Sequence, residues 1–444
     1  MNKYNLLGEN VYFDYKRSIF SFKNIEESFL QSLPLLPSPI EYAKNYKITS
    51  YSICLDISNA CNLNCSYCFN NSKDGKLIKY KDAIKLLEMF FKEFPDGQKY
   101  YIDLSGKGEP LLNVKTILRI SDWCKNKQDE IRREILPQFV TNGTLLSPGI
   151  VSKLQDNGML FGVSLDGDKV IHDLYRKDKS GKGTFDLIID NVSKIENRDY
   201  VGCAVSITNN VFPLVKTIDY LKKYFKTISI RPVRGEFSIR GDSVEKWKRE
   251  YDDLSVKILD EVGGGDTSTL FCLMNGEDYF GRYLNRAIGG FRTPIRCDAG
   301  ISRFAFDVEG RLYSCPGMSA DVSFSKDYSF LHKQDLTVML KAQICKDCEF
   351  KLLCGGECEI VLLQKGKVDD TLCDFRKHLI LLSLFISEKI RLNYPDIFNE
   401  LRKFSYEKLN RNLINPELES YLKNNPTKPF TQAKREFDKL SKKY

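Results

Sequence analysis

No stretch of the 444 residues approaches the ~18 consecutive apolar residues that crossing a bilayer requires, and Met1 to Asn10 hold no long apolar run of the kind an export signal carries. The sequence reads as a cytoplasmic protein without membrane contact. Internal repeats and low-complexity tracts are also missing, so the chain reads as a globular fold rather than an array or a disordered polymer. The net charge of +8 comes without a block of like charges, and no cluster of aromatics with arginines marks a base-stacking surface, so a nucleic-acid partner is not indicated. What remains is ordinary for a large enzyme: 42% apolar and 28% charged residues, enough for one large domain and a smaller one. Cysteine is the exception. Fourteen cysteines in a chain without an export signal are better read as metal or cluster ligands than as disulfides, because the cytosol keeps thiols reduced.

Three of them form the run Cys61-Asn-Leu-Asn-Cys65-Ser-Tyr-Cys68. A four-iron cluster ordinarily takes four cysteines, so a compact triplet holds three irons and leaves the fourth for another ligand. A zinc knuckle or buried packing cysteines are the alternatives, and zinc would need a fourth ligand. The CxxxCxxC spacing, with Tyr67 before its last cysteine, resembles the signature of radical S-adenosylmethionine enzymes. The resemblance implies that the cofactor's methionyl amino and carboxylate groups occupy the open iron. It further implies that one low-potential electron splits the sulfonium, giving a 5′-deoxyadenosyl radical that takes a hydrogen atom from substrate.

Apolar, β-rich runs at 52–58, 99–105, 135–141, 160–165, 201–207 and 227–231 alternate with helix-like segments such as 81–94 and 114–126. Alternation of this kind argues for a parallel sheet with crossover helices. Six such units resemble the partial (β/α)6, TIM-like barrel of the radical enzymes, an α/β fold. The motifs follow the strands, where parallel α/β folds place their sites. Gly106-Lys-Gly-Glu-Pro110 resembles the family's GGEP element, in which bare backbone and a carboxylate approach the methionine amino group. Gly106, Gly108 and Glu109 are thus candidate cofactor contacts, while Lys107 replaces a glycine. Asn142, Ser164 and Asp166 resemble positions that contact the cofactor's carboxylate and ribose, although Asn-Gly and Asp-Gly are also ordinary turn dipeptides. The segment His172 to Phe185 resembles the HDxxR and GTF elements, with Arg176 a candidate carboxylate partner.

A second cysteine set follows a glycine cluster at 263–265. Cys297, Cys315, Cys345, Cys348, Cys354, Cys358 and Cys373, with Gly310 five residues before Cys315, resemble the SPASM extension of radical enzymes that mature peptides and proteins. By that resemblance Cys297, Cys315 and Cys358 hold one auxiliary iron-sulfur cluster, and Cys345, Cys348, Cys354 and Cys373 a second, making three 4Fe-4S clusters in all. Taken alone, residues 345–358 also suit a zinc ribbon. Alternating residues around Glu309-Gly310 read as a hairpin that brings Cys297 and Cys315 together. Two fully ligated auxiliary clusters need eight cysteines and the pattern supplies seven. The first cluster then has an open iron, a non-cysteine ligand or a recruited Cys272. Cys54, Cys124 and Cys203 sit in apolar patterns and read as core.

The expected organisation is a short hairpin and helix over 1–50, with the hairpin at 11–14 and 18–22, then a barrel over 51–262 and an auxiliary-cluster domain over 263–375. Over 376–444 come an amphipathic helix at 379–390 packed on the barrel and a loosely held helical tail. The resemblance implies an oxidoreductase that matures a ribosomally made precursor peptide; the missing eighth cysteine, which leaves an iron for a substrate thiolate, favours a thioether crosslink over a carbon-carbon bond. Oxidation or epimerisation of a peptide residue, an RNA-modifying radical enzyme and a zinc-binding non-enzyme are the other readings. Sulfatase-maturing relatives carry an aspartate base directly after the Gly-x4 cysteine; Pro316 stands there and argues against that activity. A reductant such as flavodoxin or ferredoxin is implied. A separate leader-binding protein is one option for leader recognition, because the segment before 52 is too short for a full leader-binding domain. No motif names a catalytic side chain.

Overall fold

The computed structural model describes residues 1–44, 48–70, 74–276, 278–332, 345, 347–410 and 416–441. The chain opens with an antiparallel sheet of three strands, β1 (Asn2–Leu6), β2 (Glu9–Asp14) and β3 (Ile19–Ser21). The β2–β3 hairpin is the expected one; β1 is not. Its turn is Leu7-Gly8, with φ of +50° and +79°. Two left-handed central residues match the twist of a tight hairpin, and the Asn or Asp that usually announces such a turn is replaced by leucine.

Six parallel strands follow, each hydrogen-bonded to the next: β4 (Ser50–Leu55), β5 (Lys99–Asp103), β6 (Glu134–Thr141), β7 (Leu160–Ser164), β8 (Val201–Ile207) and β9 (Ile228–Pro232). These are the expected strands, with ends displaced by a few residues, and helices Tyr80–Glu93 and Val114–Ile131 stand where amphipathic periodicity placed them. Alternate strand residues such as Phe161, Val163, Val201, Cys203 and Val205 are buried in the core cluster. The intervening Gly162, Ser164, Gly202, Ala204 and Ser206 are only half-buried, on the opposite, concave face. Small residues there leave the concave side open, unlike the side-chain-filled interior of a closed eight-stranded barrel.

The Glu309-Gly310 hairpin forms as β10 (Arg303–Phe306) and β11 (Leu312–Tyr313). It does not stand apart. β10 pairs in parallel with β4, from Arg303 opposite Ser52 to Phe306 opposite Leu55, so the sheet has eight strands in the order β11-β10-β4-β5-β6-β7-β8-β9. Between β9 and β10, helices Ser243–Gly263, Ser268–Gly276 and Tyr279–Gly289 complete the flank.

The helix expected at 379–390 is longer, Asp370–Asn393, and is not amphipathic: Leu379, Ile380, Leu381, Leu382, Leu384, Phe385 and Ile386 are all buried. It is covered on one side by Tyr279–Gly289 and on another by the N-terminal sheet, where Phe22 meets Phe385 edge-on at 5.2 Å. Helices Pro416–Asn424 and Phe430–Ser441 are anchored rather than loose. The Arg132 guanidinium donates to the carbonyls of Leu422, Asn425, Pro426 and Lys428, and Thr431 caps onto Asp129. Polar contacts make this junction, which is why its sequence reads as a solvated tail. Among the described residues, no helix is long and apolar enough to cross a membrane.

Candidate active site

The cysteine triplet lies in the loop after β4, pinned from outside: Asn64 N donates to Lys177 O (2.8 Å) and Ser66 N to Tyr175 O (3.1 Å). The 172–178 segment therefore supports the loop through its backbone. The three thiols face one another closely enough for Cys61 and Cys68 to raise the Cys65 pKa beyond what burial does, against the pull of Arg176. Among the described residues, no three His, Cys, Asp or Glu side chains converge as ligands of a single ion would.

The predicted cofactor residues gather around this loop, largely bonded to each other. Glu109 is buried, with Oε1 accepting from Leu111 N (3.0 Å) and Thr141 Oγ1 (2.6 Å) and Oε2 from Asn142 N (2.7 Å). Burial raises its pKa, and those bonds oppose the rise. Its carboxylate ties the β5 loop to the β6 loop. Asn142 Nδ2 in turn donates to Asn62 Oδ1 at 2.9 Å and lies 4.0 Å from Cys61 Sγ. Asp166 accepts from Arg176 Nε (2.6 Å), Ser206 N (2.7 Å) and the Tyr67 hydroxyl. The carboxylate that Arg176 meets is thus Asp166, and Asp166 is engaged in protein contacts instead of being held free for a ribose. Arg176 first among the favourable contacts, the network keeps Asp166 below the usual carboxylate range despite its burial. His172 Nδ1 accepts from Asp166 N, and burial lowers the His172 pKa to about 4, so the ring is neutral near pH 7. Ser164, half-buried at the end of β7, leaves its hydroxyl uncommitted on the concave face.

The glycines have a reason within the protein itself. A Cβ on Gly106, whose φ is +102°, would lie 2.2 Å from Asp56 Oδ1, and one on Gly108 would lie 2.2 Å from Ala60 O and 2.4 Å from Ser58 O. The bare backbone is demanded by the protein's own loop after β4. That loop presents Asp56, which sequence reasoning passed over. Asp56 is wholly buried, its Oδ1 has no hydrogen-bond partner, and desolvation raises its pKa to about 7.

The second cysteine set divides in two. Cys297 and Cys358 lie close enough to Cys315 to help burial raise its pKa to about 11, and Arg234 Nη2 lies 3.2 Å from Cys358 Sγ. Cys345, Cys348, Cys354 and Cys373 line one small pocket together with Lys351, Glu357 and Arg376. Cys272 joins neither group. It is buried in the main core beside the Ile228 backbone and near Cys203, where burial raises its pKa to about 12, whereas Cys315 and Cys358 pack on a separate small cluster. Cys124 and Cys203 are core residues as expected; Cys54 is buried too, but in a small cluster against which Cys315 and Cys358 pack.

Residues 55–228 match the radical SAM superfamily. A cysteine-type anaerobic sulfatase-maturating enzyme of Clostridium novyi is 31% identical over 336 residues, 68% of this chain and 85% of that enzyme. The chain belongs to the radical SAM superfamily. Within it, the radical SAM cyclopropyl synthase TigE of Paramaledivibacter caminithermalis is 25% identical over 403 residues, 84% of this chain and 81% of the synthase. An uncharacterized protein of Methanocaldococcus jannaschii, MJ0907, is 31% identical over 199 residues, and the match spans 64% of its length. The fold is that of anSMEcpe with bound AdoMet, at a TM-score of 0.61 and 20% identity over 79% of this chain and 98% of that one.

This radical SAM enzyme is of the SPASM maturase type, and its family implies S-adenosylmethionine on a 4Fe-4S cluster. The residues fit that group. Three cysteines on one loop, with Cys61 and Cys68 close enough to Cys65 to disfavour its thiolate, suit a positively charged centre; Ser164 offers a hydroxyl, and the orphaned Asp56 Oδ1 is a buried acceptor beside the glycine loop.

Proposed function

We propose that the enzyme acts on a ribosomally synthesised precursor peptide and installs a crosslink in it, a thioether in preference to a carbon-carbon bond. Cys61, Cys65 and Cys68 would hold a four-iron cluster, which together with S-adenosylmethionine would supply hydrogen-abstracting radical chemistry. The open concave face lined by Gly162, Gly202 and Ala204 offers room for a peptide segment beside that centre. Relatives named as sulfatase-maturating enzymes and as a cyclopropyl synthase are consistent with radical chemistry on different products from one scaffold.

The observation that carries the thioether reading is the ligand count around Cys315. With Cys272 in the core, the pattern itself supplies only Cys297, Cys315 and Cys358 here; Cys54, on β4, is buried in the small cluster against which Cys315 and Cys358 pack, and burial raises its pKa well above the usual thiol range. A cluster held by Cys297, Cys315 and Cys358 leaves an iron that a substrate thiolate can take, since iron lowers a thiol's pKa and fixes its sulfur. Arg234 beside Cys358 adds positive charge that favours such a thiolate. Cys345, Cys348, Cys354 and Cys373 form the second auxiliary site, within a cluster domain over 263–375. Pro316, where sulfatase-maturing relatives carry their aspartate base, argues against sulfatase maturation. A ferredoxin or flavodoxin would supply the electron. Leader recognition would fall to the N-terminal sheet, the C-terminal helices or a separate leader-binding protein.

Mass spectrometry of a precursor peptide encoded beside the gene and co-expressed with the enzyme tests the reading. A loss of ~2 Da per modification, with one cysteine no longer alkylated, is the expected result, because two hydrogens leave when sulfur joins carbon. An unchanged mass with deuterium uptake from solvent would mean epimerisation and would overturn it.

A further inference from the structure

Lys107 stands between the two glycines of the cofactor loop, where the family motif has a glycine, and its side chain is 8% exposed. Burying an ammonium is costly unless it is paired. Lys107 Nζ donates to Ser319 O at 2.8 Å and lies 3.8 Å from Asp56 Oδ2. The Ser319 hydroxyl completes the triangle, 3.2 Å from Asp56 Oδ2 and 2.8 Å from Pro316 O. Each corner comes from a different part of the chain: Asp56 from the end of β4, Lys107 from the loop after β5, Ser319 from the single helical turn Pro316–Met318 that follows Cys315.

Both ends of this triangle touch chemistry. At one end Asp56 Oδ1, without a partner, abuts Gly106. At the other, the turn held by Ser319 is packed against an auxiliary ligand, because a Cβ on Gly317 would lie 3.4 Å from Arg234 Nη1 and 3.7 Å from Cys315 Sγ. We infer that Lys107, with Asp56 and Ser319, is a strut that carries occupancy of the cofactor loop to the turn bearing Cys315. The inference rests on reading Gly106 to Glu109 as the cofactor loop. Lys107 is a positioning residue: it touches neither the triplet nor the auxiliary cysteines, but it fixes the loop of one against the turn of the other. A neutral side chain of the same length would leave Asp56 buried without its counter-charge and the turn without its tether.

Hydrogen-exchange mass spectrometry on the full-length, cluster-reconstituted enzyme tests this, with S-adenosylmethionine added in the absence of reductant. In the wild type the cofactor should slow exchange about fivefold or more in both 104–112 and 313–325. In Lys107→Met the slowing at 104–112 should remain and that at 313–325 should vanish, and Lys107→Arg should restore it. Should Lys107→Met fail to fold, Ser319→Ala removes the hydroxyl that joins the turn to Asp56 and should show the same loss. Slowing at 313–325 that persists in the folded variant, or that is missing from a wild type protected at 104–112, overturns the strut. A wild type unprotected at 104–112 overturns the cofactor-loop reading itself, which separates the two failures.

Discussion

Arg376 grips Glu357 through two parallel hydrogen bonds, of 2.8 and 2.7 Å, with both side chains almost wholly buried. Glu357 also accepts from Cys358 N and Asp369 N and faces Arg296 at 3.4 Å. It precedes Cys358, whereas Arg376 lies one helical turn beyond Cys373, so a single carboxylate ties together the backbones that carry both auxiliary sets. Glu357→Gln keeps the shape and removes the charge, leaving two buried guanidinium groups without it. The expected cost is on the order of 3–5 kcal/mol. Anaerobically purified variant should hold fewer irons per chain than the wild type, and iron and sulfide analysis with denaturant unfolding reads both effects.

Replacing Cys61, Cys65 and Cys68 together by alanine should abolish formation of 5′-deoxyadenosine under strong reduction while the auxiliary iron persists. Chromatographic detection of that nucleoside decides the point, and undiminished formation would remove the triplet from the chemistry. Cys345→Ala with Cys348→Ala should act the other way, destabilising the C-terminal half while surviving protein still cleaves the cofactor.

Asp56 gives the fold a pH dependence with a definite sign. Its carboxyl rises from 3.8 to about 7 on folding, chiefly through desolvation, so the folded chain holds this proton more tightly than the unfolded one. The contribution is fully present below about pH 4 and is lost as pH rises through about 7, with an upper bound on the order of 4 kcal/mol. Asp56→Asn should flatten this part of the stability profile, measured by thermal unfolding at stepped pH. A variant whose stability falls between pH 4 and 7 as steeply as the wild type would assign the dependence elsewhere.

Arg132 holds four carbonyls of the C-terminal helical pair. Arg132→Ala should release 416–441 to limited proteolysis with little change in cofactor cleavage, since the contact lies at the end of Val114–Ile131, opposite the strand ends that carry the motifs. Fragment masses from a brief protease digest show whether the pair is cut first.

The strands could be read because their alternation is strong: Val201 to Ile207 is buried at every second position, a period the sequence displays directly. The site residues could be read as a set, because motifs after parallel strands converge. Their mutual bonding could not. Lys107 and Ser319 are 212 residues apart, and nothing local at either position announces the other. Asp166 and Arg176 could be read as site residues while their pairing could not, and the clash with Asp56 that also keeps Gly106 bare has no local sign. β1 was hidden for a local reason, a leucine in the left-handed turn at Leu7.

The parallel pairing of β10 with β4 limits how the enzyme can be taken apart. A chain ended at 262 would leave β4 as a raw edge, with Ser52 to Leu55 presenting unpaired backbone groups to other molecules. Exchange of auxiliary segments between relatives must therefore carry β10 in its register along with the cysteines. A chimera joined after Phe306 would graft new ligands onto an intact sheet, whereas one joined before Arg303 must rebuild the sheet to fold at all.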